Sequence, residues 1–219
     1  DNNKPIFIDA EESWIQQAID DLANENMARY NKNSAIVYNT FQLYRNDRLT
    51  YLKQSFESGK INGYYVGAKL VRGAYMEKER ERAKEKNYPS PVHDSKEACD
   101  IDYNLALEFC VEHIDRMGLC AGTHNEKSSL VLVDLMKKKN IATNDKRIYF
   151  SQLLGMSDHI SYNLAKSNYN VAKYVPYGPV KEVLPYLIRR AQENTSVKGQ
   201  TGRELSLIIK EKERRKNAK

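Results

Sequence analysis

Along the 219-residue chain, short apolar, β-branched or aromatic runs alternate with longer stretches patterned at helical spacing. The strand-like runs are PIFID (5–9), AIVYNTF (35–41), YVGAKLV (65–71), LCAGTH (119–124), RIYFSQL (147–153) and VAKYVP (171–176). Helices are expected at about 11–29, 46–57, 75–87, 95–116, 126–139, 157–167 and 179–194, with a last one from about 200. Polar residues follow most strands, and Gly or Asn commonly breaks the chain before the next one. No Gly-Ser linker or compositional step divides the sequence, so 1–219 reads as a single domain. The alternation predicts an α/β fold of parallel strands with helical crossovers. An open doubly wound sheet and a (β/α)8 TIM-type barrel both have this pattern. Six strands would complete the first and leave the second short.

Composition narrows the function classes. With 41% hydrophobic and 29% charged residues the chain has the make-up of a globular protein. No run approaches the roughly 20 apolar residues of a membrane span, and no signal-like segment opens the chain. It starts at Asp1 without an initiator Met, as expected of a processed or excised piece. The net charge of +6 raises nucleic-acid binding. Much of the excess, however, sits in the mixed-sign tail KEKERRKNAK (210–219), and the 15 tyrosines are scattered through apolar patterns. Nucleic acid is therefore not expected, whereas a basic surface suits contact with an anionic membrane face. Three cysteines are an odd count without disulfide density, which favours a reducing compartment. Cys110, His113, Cys120 and His124 have the spacing of a metal set. They fall within an apolar helix pattern and a strand, where small buried cysteines are common, so no metal site is expected.

The strand ends carry more information. Asp9, Gln42, Lys69 with Arg72, Gly73 and Tyr75, then Thr123, His124 and Asn125, then Gln152 and Tyr174, all fall at or just beyond C-terminal ends of strands. Each has an ordinary explanation: Asp9 as a helix N-cap, Asn125 as a turn residue, Lys69 as a strand cation. Polar groups after six successive strands point to a shared site at one mouth. Neither the G-x-G-x-x-G fingerprint nor the G-x4-G-K-[ST] phosphate loop is present.

The segment LPYLIRRAQENTS (184–196) raises a second question, because Arg189 and Arg190 interrupt an apolar helical pattern. Positions three and four apart share a helix face, which groups Tyr186 with both arginines and places Glu193 a turn further on. A solvated stripe and a carboxylate clamp both fit this pattern; paired guanidinium forks match carboxylates well.

The segments FIDAEESW, KLVRGAYMEKER, THNEKS, QLLGMSD, KYVPYGPVKEVLPYLIRRAQENTS and GQTGRELSLI together resemble the proline dehydrogenase family, in the form related to the mitochondrial enzyme. The likeness runs in order over essentially the whole chain. It implies a distorted (β/α)8 barrel, bound FAD, oxidation of L-proline to 1-pyrroline-5-carboxylate and transfer of electrons to a membrane quinone. By this resemblance Arg189 and Arg190 grip the proline carboxylate, while Leu70, Tyr75, Tyr174 and Tyr186 enclose the pyrrolidine ring. Asp9 matches the family's acidic site residue. Lys69 stands at a position that is Arg in many bacterial relatives, where a cation stabilises reduced, anionic flavin. Ala10, Gln42, Val71, Arg72, Gly73, Ala74, Thr123, His124, Asn125 and Glu193 match FAD-contacting positions.

Two departures accompany the likeness. Met76 replaces an aromatic of some bacterial relatives. The family's first two barrel strands, with a lysine near proline and flavin, have no counterpart in the sequence. The expected fold is thus about the last six β/α units of the barrel, with the missing segment supplied by a separate or proteolytically cut chain, or by a disordered or further part of the same protein. The expected location is the matrix side of the mitochondrial inner membrane, or the cytoplasmic face of a bacterial membrane. A non-catalytic barrel fragment and a hydroxyproline dehydrogenase are the alternatives.

Overall fold

The computed structural model describes residues 4–196 and 200–217, with the side-chain surroundings of 189–205 and 207 left out. Residues 1–173 and 174–219 form two compact units. Six strands lie side by side in chain order: β1 (Ile6–Ile8), β2 (Val37–Gln42), β3 (Val66–Val71), β4 (Met117–Gly122), β5 (Ile148–Leu153) and β6 (Val171–Tyr174). Neighbours from β1 to β5 pair in parallel. A doubly wound sheet reverses its order at a switch point. Unbroken succession is the order of a barrel, so the fold is a partial (β/α)8 barrel.

The crossovers are helices α1 (Ser13–Tyr30), α2 (Arg48–Ile61), α3 (Met76–Lys86), α4 (Lys96–Glu112), α5 (Glu126–Lys138) and α6 (Asp158–Lys166). Helices α7 (Val180–Ser196) and α8 (Gln200–Asn217) follow β6. Each predicted element is present, with shifted ends. The expected helix 95–116 stops at Glu112, because His113 bonds back to the Phe109 carbonyl and a 3₁₀ turn (Ile114–Arg116) follows. That turn leads straight into β4, which starts at Met117, two residues earlier than its apolar run suggested. Among the described residues, no helix is long and apolar enough to cross a membrane.

The two faces of the sheet differ. Val66, Ala68 and Leu70 of β3, Leu119 and Ala121 of β4, and Ile148 and Phe150 of β5 pack against Tyr103, Leu107 and Cys110 of α4 and Leu132 and Met136 of α5. Each large apolar side chain so buried contributes roughly 1.5–3 kcal/mol. The alternate residues form the other face in cross-strand rows. One row runs Phe7, Tyr38, Gly67, Gly118, and the next runs Thr40, Lys69, Cys120, Tyr149. Tyr38 lies across the two glycines. A Cβ at Gly67 would meet the Val37 carbonyl at 2.3 Å, and one at Gly118 would meet the Tyr38 hydroxyl at 2.4 Å. Glycine here makes a floor beneath the strand ends.

Polar side chains fix the first two helices. Asp20 of α1, 1% exposed, accepts from Arg48 Nη1 (2.6 Å), Asn39 Nδ2 (2.8 Å) and Gln16 Nε2 (2.9 Å). A buried carboxylate is tolerated because every donor facing it is committed. The fully buried Asn31 accepts from the amides of Ile36 and Val37 and donates to the carbonyls of Val37 and Tyr65. It thereby anchors the starts of β2 and β3.

Candidate active site

Asp9 directly follows β1. It is not the helix cap that its position suggests, because Glu12 is the N-cap of α1. Its carboxylate instead forms an ion pair with Lys69 Nζ. Lys69 sits mid-row in β3, its side chain 19% exposed and its ammonium 5.8 Å from the centre of the Phe7 ring. Gln42, buried at the end of β2, donates through Nε2 to the Glu11 carbonyl (2.7 Å). Tyr75 donates through its hydroxyl to Glu11 Oε2 (2.6 Å). The ends of three neighbouring strands thus meet over residues 9–11, with half-buried Ala10 among them.

Arg72, one residue past β3, reaches the end of β4. Nε donates to Asp100 Oδ1 (2.6 Å), Nη1 to Thr123 Oγ1 (2.7 Å) and Nη2 to Ser128 Oγ (2.9 Å), and the guanidinium lies over the Tyr103 ring at 4.4 Å. Burial opposes ionisation of Asp100, but hydrogen bonds from Lys96 and Arg72 outweigh it and hold its carboxyl below the usual range. Thr123 Oγ1 also accepts the Asn125 amide (3.0 Å). Asn125 caps α5 by accepting the Ser128 amide, so its turn role is real. His124 Nδ1 lies 3.0 Å from Ser157 Oγ, and Gln152 donates to the Thr123 carbonyl (3.2 Å).

Gly73 has φ +128, and a Cβ there would lie 2.0 Å from the Tyr44 ring. The glycine is therefore required by the packing of the protein itself. Val71 and Ala74 are half-buried beside it. Leu70 departs from the cluster. It points to the opposite face from Lys69 and is fully buried against α4. Met76 packs with Tyr44, Val92 and Cys99.

In the second unit, the Tyr174 and Tyr186 rings lie 6.1 Å apart at 64°, an edge-to-face pair. Arg189, Arg190 and Glu193 belong to α7, and their side chains lie outside the described residues. Among the described residues no group of three His, Cys, Asp or Glu side chains could hold a metal. Burial pushes the Cys99 and Cys120 thiols up to about 11, and Cys110 is fully buried in α4. Sequence reading missed Glu11, Tyr44, Asp100, Ser128 and Ser157, which contact Tyr75, Arg72 and His124, and Glu79, which bonds to Ser13. Only the helical spacing of Tyr75, Lys78 and Glu79 could have signalled any of them.

The family model described as proline dehydrogenase matches residues 1–203. The chain belongs to the proline dehydrogenase family. It is 42% identical over 220 residues to proline dehydrogenase 1, mitochondrial, of Drosophila melanogaster, covering 96% of this chain and 32% of that protein. Hydroxyproline dehydrogenase of Xenopus laevis is 37% identical, covering 98% of this chain and 46% of that protein. The solved structure of proline utilization A from Bdellovibrio bacteriovorus superposes with a TM-score of 0.82 at 25% identity, over 89% of this chain and 20% of that one. The chain thus spans about a third of the length of its mitochondrial relatives.

The donors at the strand ends suit FAD, which the family resemblance implies. The bonds of Arg72 use three of the five N–H groups of a guanidinium, and the pairing of Lys69 with Asp9 uses one of three ammonium protons. Cationic N–H groups beside Thr123 and Asn125 match an electron-rich ring edge or a phosphate.

Proposed function

We propose that the protein carrying this chain oxidises L-proline to 1-pyrroline-5-carboxylate with FAD as cofactor. The observation that supports this reading is the meeting of Asp9, Gln42 and Lys69 from three successive strands, with Arg72 bonded to Thr123 beyond the end of the fourth, in a chain of the proline dehydrogenase family. When bound, FAD supplies the acceptor for a hydride from the ring carbon beside the substrate nitrogen. The C–N bond becomes double, and the nitrogen gives its proton to solvent.

The residues of this chain hold and position. Arg189 and Arg190 pair with the substrate carboxylate, and Tyr75, Tyr174 and Tyr186 enclose the ring. Lys69 and Arg72, with Gln42, Thr123, His124 and Asn125, hold the cofactor, and the cation of Lys69 stabilises negative charge that develops there. Asp9 sets the position of Lys69. Val71, Gly73, Ala74, Ala10 and Glu193 complete the cofactor contacts. Electrons pass to a membrane quinone, reached by peripheral contact, at the mitochondrial inner membrane on the matrix side. The mitochondrial relatives support that location.

The test is a visible spectrum of the complete purified protein. Flavin bands that L-proline bleaches and NADH leaves unchanged are expected. A protein that stays colourless after reconstitution with FAD would instead support a non-catalytic fragment. The likeness to a hydroxyproline dehydrogenase supports a second reading. The assignment of Tyr174 to the ring pocket weighs against it, since a tyrosine there would fill the place of a hydroxyl on the fourth carbon. Exclusion by size is worth about 1–3 kcal/mol, and equal kcat/KM for proline and trans-4-hydroxyproline would remove Tyr174 as the gate.

A further inference from the structure

Helix α1 lacks a cap of its own. Its N-cap residue, Glu12, makes no capping bond with its side chain, and the first turn contains no acid. The first amides of a helix need acceptors, and the positive end of its dipole favours an anion. Glu79, 66 residues away in the first turn of α3, supplies both. Oε1 accepts the Ser13 amide and Oε2 accepts the Ser13 hydroxyl, each at 2.6 Å. Glu79 is fully buried. Its carboxylate serves two helix ends together, that of α1 by direct bonding and that of α3 by position.

The contact is one of three in register. Tyr75, Lys78 and Glu79 share one face of the first turn of α3. They meet three successive residues of the other loop: Tyr75 bonds to Glu11, Lys78 pairs with Glu12, and Glu79 takes Ser13. Gln42 and Gln16 complete the hold, by donating to the Glu11 carbonyl and accepting its amide. The loop that carries Asp9 and Ala10 is thereby joined to the loop that carries Arg72 to Tyr75, across the strand between them. Among the side chains that make these contacts Glu79 is the most deeply buried, with no exposed surface, so losing its bonds leaves acceptors that water reaches only at a cost.

We propose that Glu79 is a positioning residue that sets the spacing between the Asp9–Glu11 loop and Tyr75, and so the grip on a small carboxylate-bearing amine. It rests on the function proposed above but is tested separately from it. The complete flavin-loaded protein is compared with Glu79→Ala and Glu79→Gln. Glutamine keeps one acceptor for the Ser13 amide and a partner for the hydroxyl. Amide exchange in peptides covering 9–16 should be at least tenfold faster in Glu79→Ala, with peptides of α5 unchanged, and close to the parent rate in Glu79→Gln. KM for L-proline should rise at least tenfold in Glu79→Ala, with kcat changed less than threefold, and Glu79→Gln should recover most of that loss. Exchange that is unchanged at 9–16, or raised equally everywhere, would overturn the proposal, as would an unchanged KM. Should Glu79→Ala not fold, Ser13→Ala decides the matter, because it removes one of the two bonds and leaves the carboxylate. Threefold or greater acceleration confined to 9–16 would support the positioning role, and none would reject it. If the parent protein does not oxidise proline, the proposed reaction falls and the exchange comparison still decides the role of Glu79.

Discussion

Asp9 and Lys69 form an ion pair although β2 lies between the strands that carry them. Asp9 is half-exposed, at 55%, so the pair adds little to stability. Exposed ion pairs measure about 0.2–1 kcal/mol. Its effect is to hold an ammonium at one point on the inner face. A double-mutant cycle with Asp9→Asn and Lys69→Met should therefore show a coupling in stability under about 1 kcal/mol. In kcat/KM for proline each single change should cost at least tenfold, and the double change less than the product. Strong coupling in stability with near-normal turnover would make the pair a structural brace instead.

Arg72 is held by an acid whose carboxyl is lowered, and this gives its anchoring a pH dependence. Asp100 has a lower pKa folded than the ordinary value of about 3.9. Such a group adds stability above its unfolded pKa and loses it as pH falls through the folded one. Asp100→Asn should therefore lower Tm at pH 6–7, and the gap from the parent protein should close as pH falls below about 4. Asp47 and Asp145 also have lowered pKa values and titrate in the same acid window, but they are common to both proteins and cancel in the difference. A gap that stayed constant down to pH 3 would show that Asp100 contributes by shape alone.

The periodicity of the chain sufficed most clearly for β3 and β4, where Val66, Ala68, Leu70, Leu119 and Ala121 face the helices and Gly67, Lys69, Gly118 and Cys120 face away. The choice between open sheet and barrel did not follow from pattern. It depends on which strands are neighbours, and only the pairing of β1 through β6 in chain order resolves it. The polar residues at strand ends were legible as a set, whereas their hydrogen-bond partners were not. Asp100 lies 28 residues from Arg72, and Glu79 lies 66 from Ser13, separations over which no local spacing rule operates. Leu70 shows the opposite error. Its neighbours in sequence belong to the cluster, but the two-residue period of a strand turns it into the core.

The buried Asp20 explains how α1 keeps its register beneath that site. Asp20→Ala would leave Arg48 without its buried partner, and would strip Asn39 and Gln16 of an acceptor. Removing one member of a buried ion pair costs roughly 3–5 kcal/mol. Chemical unfolding should show a loss of that size, with the denaturant slope unchanged. A loss under 1 kcal/mol would mean that water enters and satisfies Arg48 in place of the carboxylate.

The last prediction concerns the arginine pair of α7. The helix runs through Pro185, which lacks the N–H that would bond the Lys181 carbonyl, and continues to Ser196. Tyr186, Arg189 and Arg190 therefore do lie on one helix and share a face by spacing. A solvated stripe would tolerate Arg189→Met or Arg190→Met with little effect, because surface changes seldom exceed about 0.5 kcal/mol. A clamp on the proline carboxylate would not. Losing one charge-assisted, largely desolvated contact costs on the order of 2–4 kcal/mol, which is roughly 30- to 1000-fold in kcat/KM at about 1.36 kcal/mol per decade. The complete protein should retain its flavin content in both variants, since the arginines are assigned to substrate and not to cofactor. Near-normal kcat/KM in both would return the pair to the solvent. A loss of flavin together with activity would move the arginines from the substrate to the cofactor.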